Sequence, residues 1–397
     1  MNTVKRAIFP ALQQALLDER ILVLTGMRQV GKTTTLHWLL DQIPSANKIY
    51  LDLERLDYRS VFSESNYDLI LNYLRNVGLQ SEQPMTVALD EIQYVPNIPS
   101  VVKYLYDHYR IKFLLTGSSS FYLKNYFSES IAGRKIVFEM FPLTFGEFLD
   151  FRGIPYRKRG TWEEMIFDRH EYERINGYYE EYTVFGGMPG VVLEPKNEVK
   201  KEILMDIYSS YINIDVKTMA DFRKIDELRK LISLLAMRIG NKLDYTKLSK
   251  IIGISRPTLN DYLEFLEMTY VICQLPAYAG PDTATSLGKK LYFYDNGIAG
   301  ILANPGEGAL FENAVFSQLR SYGSLSYLSK ANKYEIDFVL AGDQRKSTAL
   351  EVKYHPTEGD DQSLKRAAQR NDLSHAWLIG KHPTPGFDQF LWGGSIL

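Results

Sequence analysis

Short apolar runs alternate with stretches of helical period through the first 150 residues. Ile21–Leu24 is a run of four apolar residues, the pattern of a strand buried on both faces of a parallel sheet. Similar runs at 47–54, 85–93, 111–116 and 136–140 predict four more strands. Residues 8–19 read as a helix leading into the first strand, and 34–40 and 119–131 as helices between strands. Such βα alternation predicts an α/β fold with a parallel sheet. Farther along, 151–174 is charged and aromatic, with Gly153–Pro155 and Arg157–Gly160 as loop signals, and reads as an inserted connection. The glycines and proline of 185–192 mark a tight corner between helices. Glu198–Asp215 reads as a long amphipathic helix, with Ile203, Ile207, Tyr211 and Ile214 at helical spacing for packing.

Three helical stretches, 228–238, 245–252 and 256–267, precede the strand 270–275. That order is the one expected of a winged helix. Ser255 is a good N-cap, and Pro257 is tolerated in the first turn that follows. If this module reads DNA, Arg256, Thr258 and Asn260 face the groove first. Asp261, Glu264 and Glu267 make the same helix acidic, so a protein-binding or structural role stays open. Residues 280–286 read as a hinge, followed by a strand at 291–297. Beyond Gly308 come a helix at 309–322, strands at 326–329, 335–340 and 347–354, a helix at 362–370 and a strand at 376–379. This is the order of a small α/β nuclease fold of the restriction-endonuclease type.

The chemistry begins where the first strand ends. Gly26-Met27-Arg28-Gln29-Val30-Gly31-Lys32-Thr33 fits G-x-x-x-x-G-K-[ST], with Thr34 opening a helix. Gly26 and Gly31 let the backbone turn its N–H groups onto a phosphate, and the helix N-terminus adds partial positive charge. Lys32 is expected to reach the β- and γ-phosphates of ATP, and the Thr33 hydroxyl to ligate Mg²⁺. Asp90 is expected to hold Mg²⁺ and Glu91 to polarise the attacking water. Thr116 or Ser118, at the end of the fourth strand, sits where a side chain senses the γ-phosphate, and either also suits a helix N-cap. Arg134 stands where a cationic finger, in cis or from a neighbour, would reach the phosphate, and equally where a surface arginine closes a helix.

A second constellation lies in the C-terminal strands. Side chains two apart on a strand share a face, so Glu351 and Lys353 project together, with Asp337 on the neighbouring strand. Asp337 and Glu351 offer hard oxygen ligands for Mg²⁺, Glu312 completes the set, and Lys353 is placed to activate a water. Alternating charged and apolar residues are also what any half-exposed strand shows.

The order of P-loop, Leu89-Asp90-Glu91-Ile92-Gln93, Leu115-Thr116-Gly117-Ser118-Ser119, Ala132-Gly133-Arg134 and Pro142–Leu149 resembles a prokaryotic family of AAA-type ATPases. Members carry a C-terminal domain of unknown function related by fold to restriction endonucleases. The resemblance covers nearly the whole chain and implies ATP binding and a helical lid after the core. It also matches Asp337, Glu351 and Lys353 to the D…E-x-K pattern of that nuclease superfamily. The Thr/Ser cluster at 116–119 replaces the asparagine usual in AAA+ proteins.

The expected organisation is an ATPase core at 1–150, a helical lid and linker at 151–222, a winged helix at 223–280 and an endonuclease-like domain at 286–397. The net charge of -2 offers no global basic field for nucleic acid, so any DNA contact is local. The single cysteine excludes an internal disulfide. No apolar run approaches a membrane span. Met1–Arg6 lacks the apolar stretch of a signal peptide, so a cytoplasmic location is expected. The functional expectation is a Mg²⁺-dependent ATPase acting on DNA. The alternatives are a nucleotide-controlled protein that binds a protein partner and cuts nothing, and a DNA-binding ATPase with a decayed nuclease site. The oligomeric state is left open by Arg134.

Overall fold

The computed structural model describes residues 4–118, 131, 133–217, 225–279, 287–330, 334–342 and 347–397. The expected helix at 119–131 and hinge at 280–286 lie outside the described residues, save Ile131. The chain divides into two compact units. The first takes in 1–141, 210–221 and 268–270; the second takes in 142–209, 222–267 and 271–397. Among the described residues, no helix is long and apolar enough to cross a membrane.

The first unit opens with α1 (Phe9–Leu16), β1 (Ile21–Gly26), α2 (Lys32–Gln42) and β2 (Lys48–Asp52). It continues through α3 (Leu56–Phe62), α4 (Tyr67–Asn76), β3 (Thr86–Asp90), α5 (Ile98–Tyr109), β4 (Lys112–Gly117) and β5 (Lys135–Met140). The five strands form one sheet in the order β2-β3-β4-β1-β5, and every pairing is parallel. All six residues of β1 are buried, as a central strand covered on both faces requires. Ile70 and Leu74 of α4 and Val101, Val102 and Leu105 of α5 pack into a core with Val23, Val87, Leu89 and Phe113. Periodicity did not single out α3, α4 or α5.

The second unit begins with α6 (Phe145–Phe151), whose N-terminus is closed by a Thr144/Glu147 capping box. The expected connection at 151–174 is irregular only up to Asp168, apart from one 3₁₀ turn, Glu163–Met165. Asp168 then caps α7 (Arg169–Phe185) by accepting from the N–H groups of His170 and Glu171 at 3.0 and 3.3 Å. The glycine corner follows. Gly186 has φ +75°, and a Cβ there would meet the Asp295 carboxylate at 2.4 Å, so glycine is required twice over. After α8 (Pro189–Leu193) comes α9 (Asn197–Ser210). The helix expected to run to Asp215 instead leaves the α pattern at Tyr211 and continues as a π turn, Tyr211–Val216, in the first unit.

Three helices follow, α10 (Ile225–Ala236), α11 (Tyr245–Ile252) and α12 (Arg256–Met268). Strand β6 (Ile272–Leu275) pairs antiparallel with β7 (Lys290–Phe293). The strand that sequence assigned to the C-terminal domain is therefore the partner of β6. Helices α13 (Asn296–Leu302) and α14 (Glu307–Leu319) lead to β8 (Leu325–Lys330), β9 (Tyr334–Leu340) and β10 (Thr348–Lys353). Then come α15 (Glu358–Gln369), β11 (His375–Gly380) and β12 (Leu391–Trp392). Their sheet runs β12-β11-β10-β9-β8, parallel between β10, β11 and β12 and antiparallel between β8, β9 and β10.

Candidate functional site

The first site forms at the C-terminal edge of the parallel sheet. Gly26 ends β1 at φ +149°, so close to β5 that a Cβ would lie 2.1 Å from the Met140 carbonyl oxygen. Gln29 and Gly31 take positive φ, 61° and 97°, and α2 starts at Lys32. Met27, Arg28, Gln29 and Val30 thus form the turn between β1 and α2, with Thr33 and Thr34 in the first helical turn. The guanidinium of Arg6 donates to the Val30 carbonyl at 3.0 Å and to the Phe141 carbonyl at 2.9 Å, tying the loop to the end of β5.

Lys32 is 4% exposed, and its ammonium donates to the Gly26 and Met27 carbonyls, each at 2.9 Å. Burial lowers its pKa, against the attraction of Glu91, Asp215 and Asp90. The Thr33 hydroxyl donates to Asp90 Oδ2 at 2.7 Å, and the Tyr50 hydroxyl donates to the same oxygen at 2.9 Å. A hydroxyl and a carboxylate side by side at a helix N-terminus are hard oxygen donors, and their chemistry fits Mg²⁺. Strand β3 stops at Asp90. Glu91 turns into the left-handed region at φ 54°, ψ 51°, which separates the two acids that a continuing strand would have kept in line. Its carboxylate accepts from the Gln93 side-chain amide.

Thr116 is fully buried. Its hydroxyl donates to Asp90 Oδ1 and accepts from the Glu91 N–H at 3.1 Å, so it orients the two acids. Ser118 donates from Oγ to Asp215 Oδ1 at 2.9 Å. Asp215 also accepts from Arg28 Nε at 2.5 Å, and the Arg28 guanidinium reaches the Tyr94 hydroxyl at 3.2 Å. Burial opposes charge on Arg28, but Asp215, Tyr94 and Glu91 together more than offset it, and the guanidinium is held above its usual range.

Arg134 is a correction to the cis reading. Its carbonyl accepts from the Ile21 N–H, at the start of β1, and β5 runs parallel to β1 from there. The P-loop lies at the other end, five residue steps or about 17 Å away. The Arg134 side chain pairs instead with Asp107 of α5 at 2.9 Å, with both partners about one-third exposed (39% and 32%). Sequence reasoning missed Tyr50, Gln93 and Asp215. An aspartate inside the apolar run Tyr211–Val216 was the available signal for the last.

In the second unit, Asp337 of β9, Glu351 and Lys353 of β10 and Glu312 of α14 gather with a residue that sequence did not single out, Lys290 of β7. Lys290 is 2% exposed, and its ammonium pairs with Glu335 Oε1 at 2.7 Å and Asp337 Oδ1 at 3.1 Å. Lys242 reaches the other oxygen of Glu335 at 3.1 Å. Lys353 pairs with Glu351 at 2.7 Å, and the Val352 N–H donates to Asp337 Oδ2 at 3.0 Å. The Tyr292 hydroxyl donates to Glu312 at 2.7 Å. Burial, then repulsion from Asp337, raises Glu312 and Glu351 to about 7 each. Surplus negative charge on hard oxygens suits a divalent cation, but the Lys290 ammonium already holds the Asp337 oxygen such an ion would need. As these side chains stand, no three His, Cys, Asp or Glu among the described residues converge to hold a metal.

On α12, Arg256 and Asn260 are exposed and Thr258 is partly buried, its hydroxyl bonded to Ser255 at 2.8 Å. Asp261 and Glu264 are exposed on the same helix, and Lys247 and Lys250 are exposed on α11.

Comparison with known proteins follows this division of labour. Residues 18–149 match a family described as an AAA domain. Residues 176–307 and 307–383 match two domains of unknown function, DUF8612 and DUF4143. An uncharacterised protein of Methanocaldococcus jannaschii, MJ1544, is 28% identical over 366 residues, 89% of this chain and 79% of that protein. An uncharacterised protein of Haemophilus influenzae is 25% identical over 334 residues, 80% of this chain and 79% of that one. Among solved structures, AMPPCP-bound DnaA from Aquifex aeolicus aligns with 67% of this chain and 89% of its own, at 16% identity and a TM-score of 0.30. With its P-loop between β1 and α2 and its paired acids at the end of β3, the segment 18–149 is an AAA-type ATPase-like domain.

Proposed function

We propose that this chain is a Mg²⁺-dependent ATP-binding protein and ATPase whose nucleotide state governs a DNA-directed second unit. The observation that carries the ATPase reading is the arrangement at the P-loop: a buried Lys32 on the loop's own carbonyls, and Thr33 bonded to Asp90. In this reading the N–H groups of 27–34 ring the phosphates, and Lys32 leaves its carbonyl partners for the β- and γ-phosphates. Thr33 and Asp90 hold Mg²⁺, which neutralises phosphate charge when bound. Glu91 polarises the attacking water, and Thr116 keeps Asp90 and Glu91 oriented. Arg134, paired with Asp107 away from the loop of its own chain, is left to serve a neighbouring copy.

Helices α10–α12 with the β6–β7 pair have the element order of a winged helix. Arg256, Thr258 and Asn260 are then the residues offered to a DNA groove, with Lys247 and Lys250 beside them for phosphates. The sheet of β8–β12 with α14 and α15 is read as an endonuclease-like fold, with Asp337, Glu351 and Glu312 as metal ligands and Lys353 beside the water.

A second reading, control of a partner without cutting, is favoured by Lys290. Its ammonium and a metal ion compete for Asp337, so that carboxylate has a cationic partner without metal. Purified full-length protein decides between the two. ATP turnover with Mg²⁺ tests the shared part. Salt-sensitive DNA binding with Mn²⁺-dependent cleavage, lost in Asp337→Ala, supports the first reading. ATP turnover with no cleavage of branched, duplex or single-stranded DNA supports the second.

A further inference from the structure

Asp215 reaches the P-loop from far along the chain. It sits on a π turn, Tyr211–Val216, a form that appears mostly as single-turn insertions and frequently at functional sites. Its side chain is 3% exposed and both of its oxygens are used. One accepts from Arg28, inside the phosphate loop, at 2.5 Å; the other accepts from Ser118, just past the end of β4, at 2.9 Å. Lys32 lies within the electrostatic reach of the same carboxylate.

A triphosphate entering this loop brings several negative charges to these cations. Two anions in one buried, low-dielectric site repel strongly. Asp215 and the phosphates therefore cannot both keep Arg28 at full strength. We infer that Asp215 is a positioning residue of the nucleotide site, holding Arg28 and Ser118 while the loop is empty and displaced from Arg28 when a triphosphate binds. The inference rests on the ATP-binding reading above. Displacement frees Arg28 for the phosphates. It also removes the ion pair that anchors the π turn, a form rarely found except as a single turn. The turn follows α9 without a linker, so a rewound turn alters the end of that helix.

The test uses full-length protein and a fluorescent, non-hydrolysable ATP analogue. Wild type, Asp215→Asn and Lys32→Ala are titrated, with AMP as a competitor that lacks the outer phosphates. Asn keeps the shape and removes the charge. Asp215→Asn is expected to bind the ATP analogue about tenfold more tightly than wild type, with AMP affinity little changed. Hydrogen exchange in 211–217 of wild type is expected to rise when the analogue binds. Equal or weaker binding by Asp215→Asn, with wild type binding and Lys32→Ala not, overturns the inference and leaves the ATPase reading intact. If no form binds the analogue, both fall. If Asp215→Asn does not fold, the wild-type exchange decides alone: unchanged exchange at 211–217 on binding overturns the inference.

Discussion

Replacing Lys290 with methionine removes the cation from the C-terminal carboxylate cluster while keeping the length of the side chain. The two ion pairs it makes are unequal. Glu335 is 41% exposed and has Lys242 as a second partner, so losing that contact costs little. Asp337 is 15% exposed, Lys290 is 2% exposed, and Glu312 and Glu351 crowd the same carboxylate. Stranding a buried charge in this way costs about 3 kcal/mol, the low end for broken buried pairs. Three of the four tryptophans, Trp162, Trp377 and Trp392, lie in the second unit, so urea unfolding followed by tryptophan fluorescence reports chiefly on it. At pH 8 the transition should move to lower urea by about that energy. At pH 5.5, where Glu312 and Glu351 carry protons, the loss should shrink. Millimolar Mn²⁺ should stabilise Lys290→Met and leave wild type nearly unmoved, because the ammonium and the ion compete for Asp337. A variant as stable as wild type at pH 8, or a Mn²⁺ effect equal in both proteins, refutes the reasoning.

The same cluster sets a pH dependence in wild type. Glu312 and Glu351 rise from 4.5 to about 7 and Asp295 from 3.8 to about 6 on folding, so the native state binds more protons in that window. Urea stability of the second unit should therefore be greatest below about pH 4.5 as far as these groups are concerned, and fall as pH climbs to about 7; a flat or rising profile between pH 5 and 7 contradicts this. Glu91→Gln should keep ATP binding and slow single-turnover hydrolysis roughly a hundredfold, the lower range for loss of a general base; an unchanged rate removes Glu91 from the chemistry. Gly26→Ala forces a Cβ to within 2.1 Å of the Met140 carbonyl at φ +149°, and a loss of about 2–4 kcal/mol is expected in circular-dichroism melts. A melt equal to wild type means that β1 and β5 can part there freely.

What could be read from the chain follows how local each signal is. The P-loop is contiguous, and a strand before it and a helix after it are themselves local patterns, so 21–42 was legible almost residue by residue. The place of Asp90 beside Thr33 was legible as well, because it is an acid that ends a buried strand next to that loop; its further partners Tyr50 and Thr116 were not. Glu91 was not, since nothing in the alternation announces that the backbone leaves the strand between the two acids. Arg134 was misplaced because proximity in motif order says nothing about which end of a parallel strand a residue occupies. Helix α3 has 7 residues and only Phe62 buried, too little periodicity to stand out, whereas α4 buries Ile70, Leu71 and Leu74 at helical spacing, a pattern present in the sequence that was passed over. Asp215 and Lys290 make their decisive contacts with residues 187 and 47 positions away, Arg28 and Asp337. A charged residue next to apolar ones reads as a solvated edge until the partner is known. Both sites therefore gain their balancing charge from long-range contacts that local pattern does not encode.

The central claim is that the loop from Gly26 to Thr33 grips a triphosphate through Lys32. Calorimetric titration of full-length wild type and Lys32→Ala with ATP and Mg²⁺ tests it most directly. Wild type should bind ATP, and Lys32→Ala should lose affinity by about a hundredfold, as removal of a buried charge partner of the phosphates requires. Equal affinity in the two proteins would contradict the account.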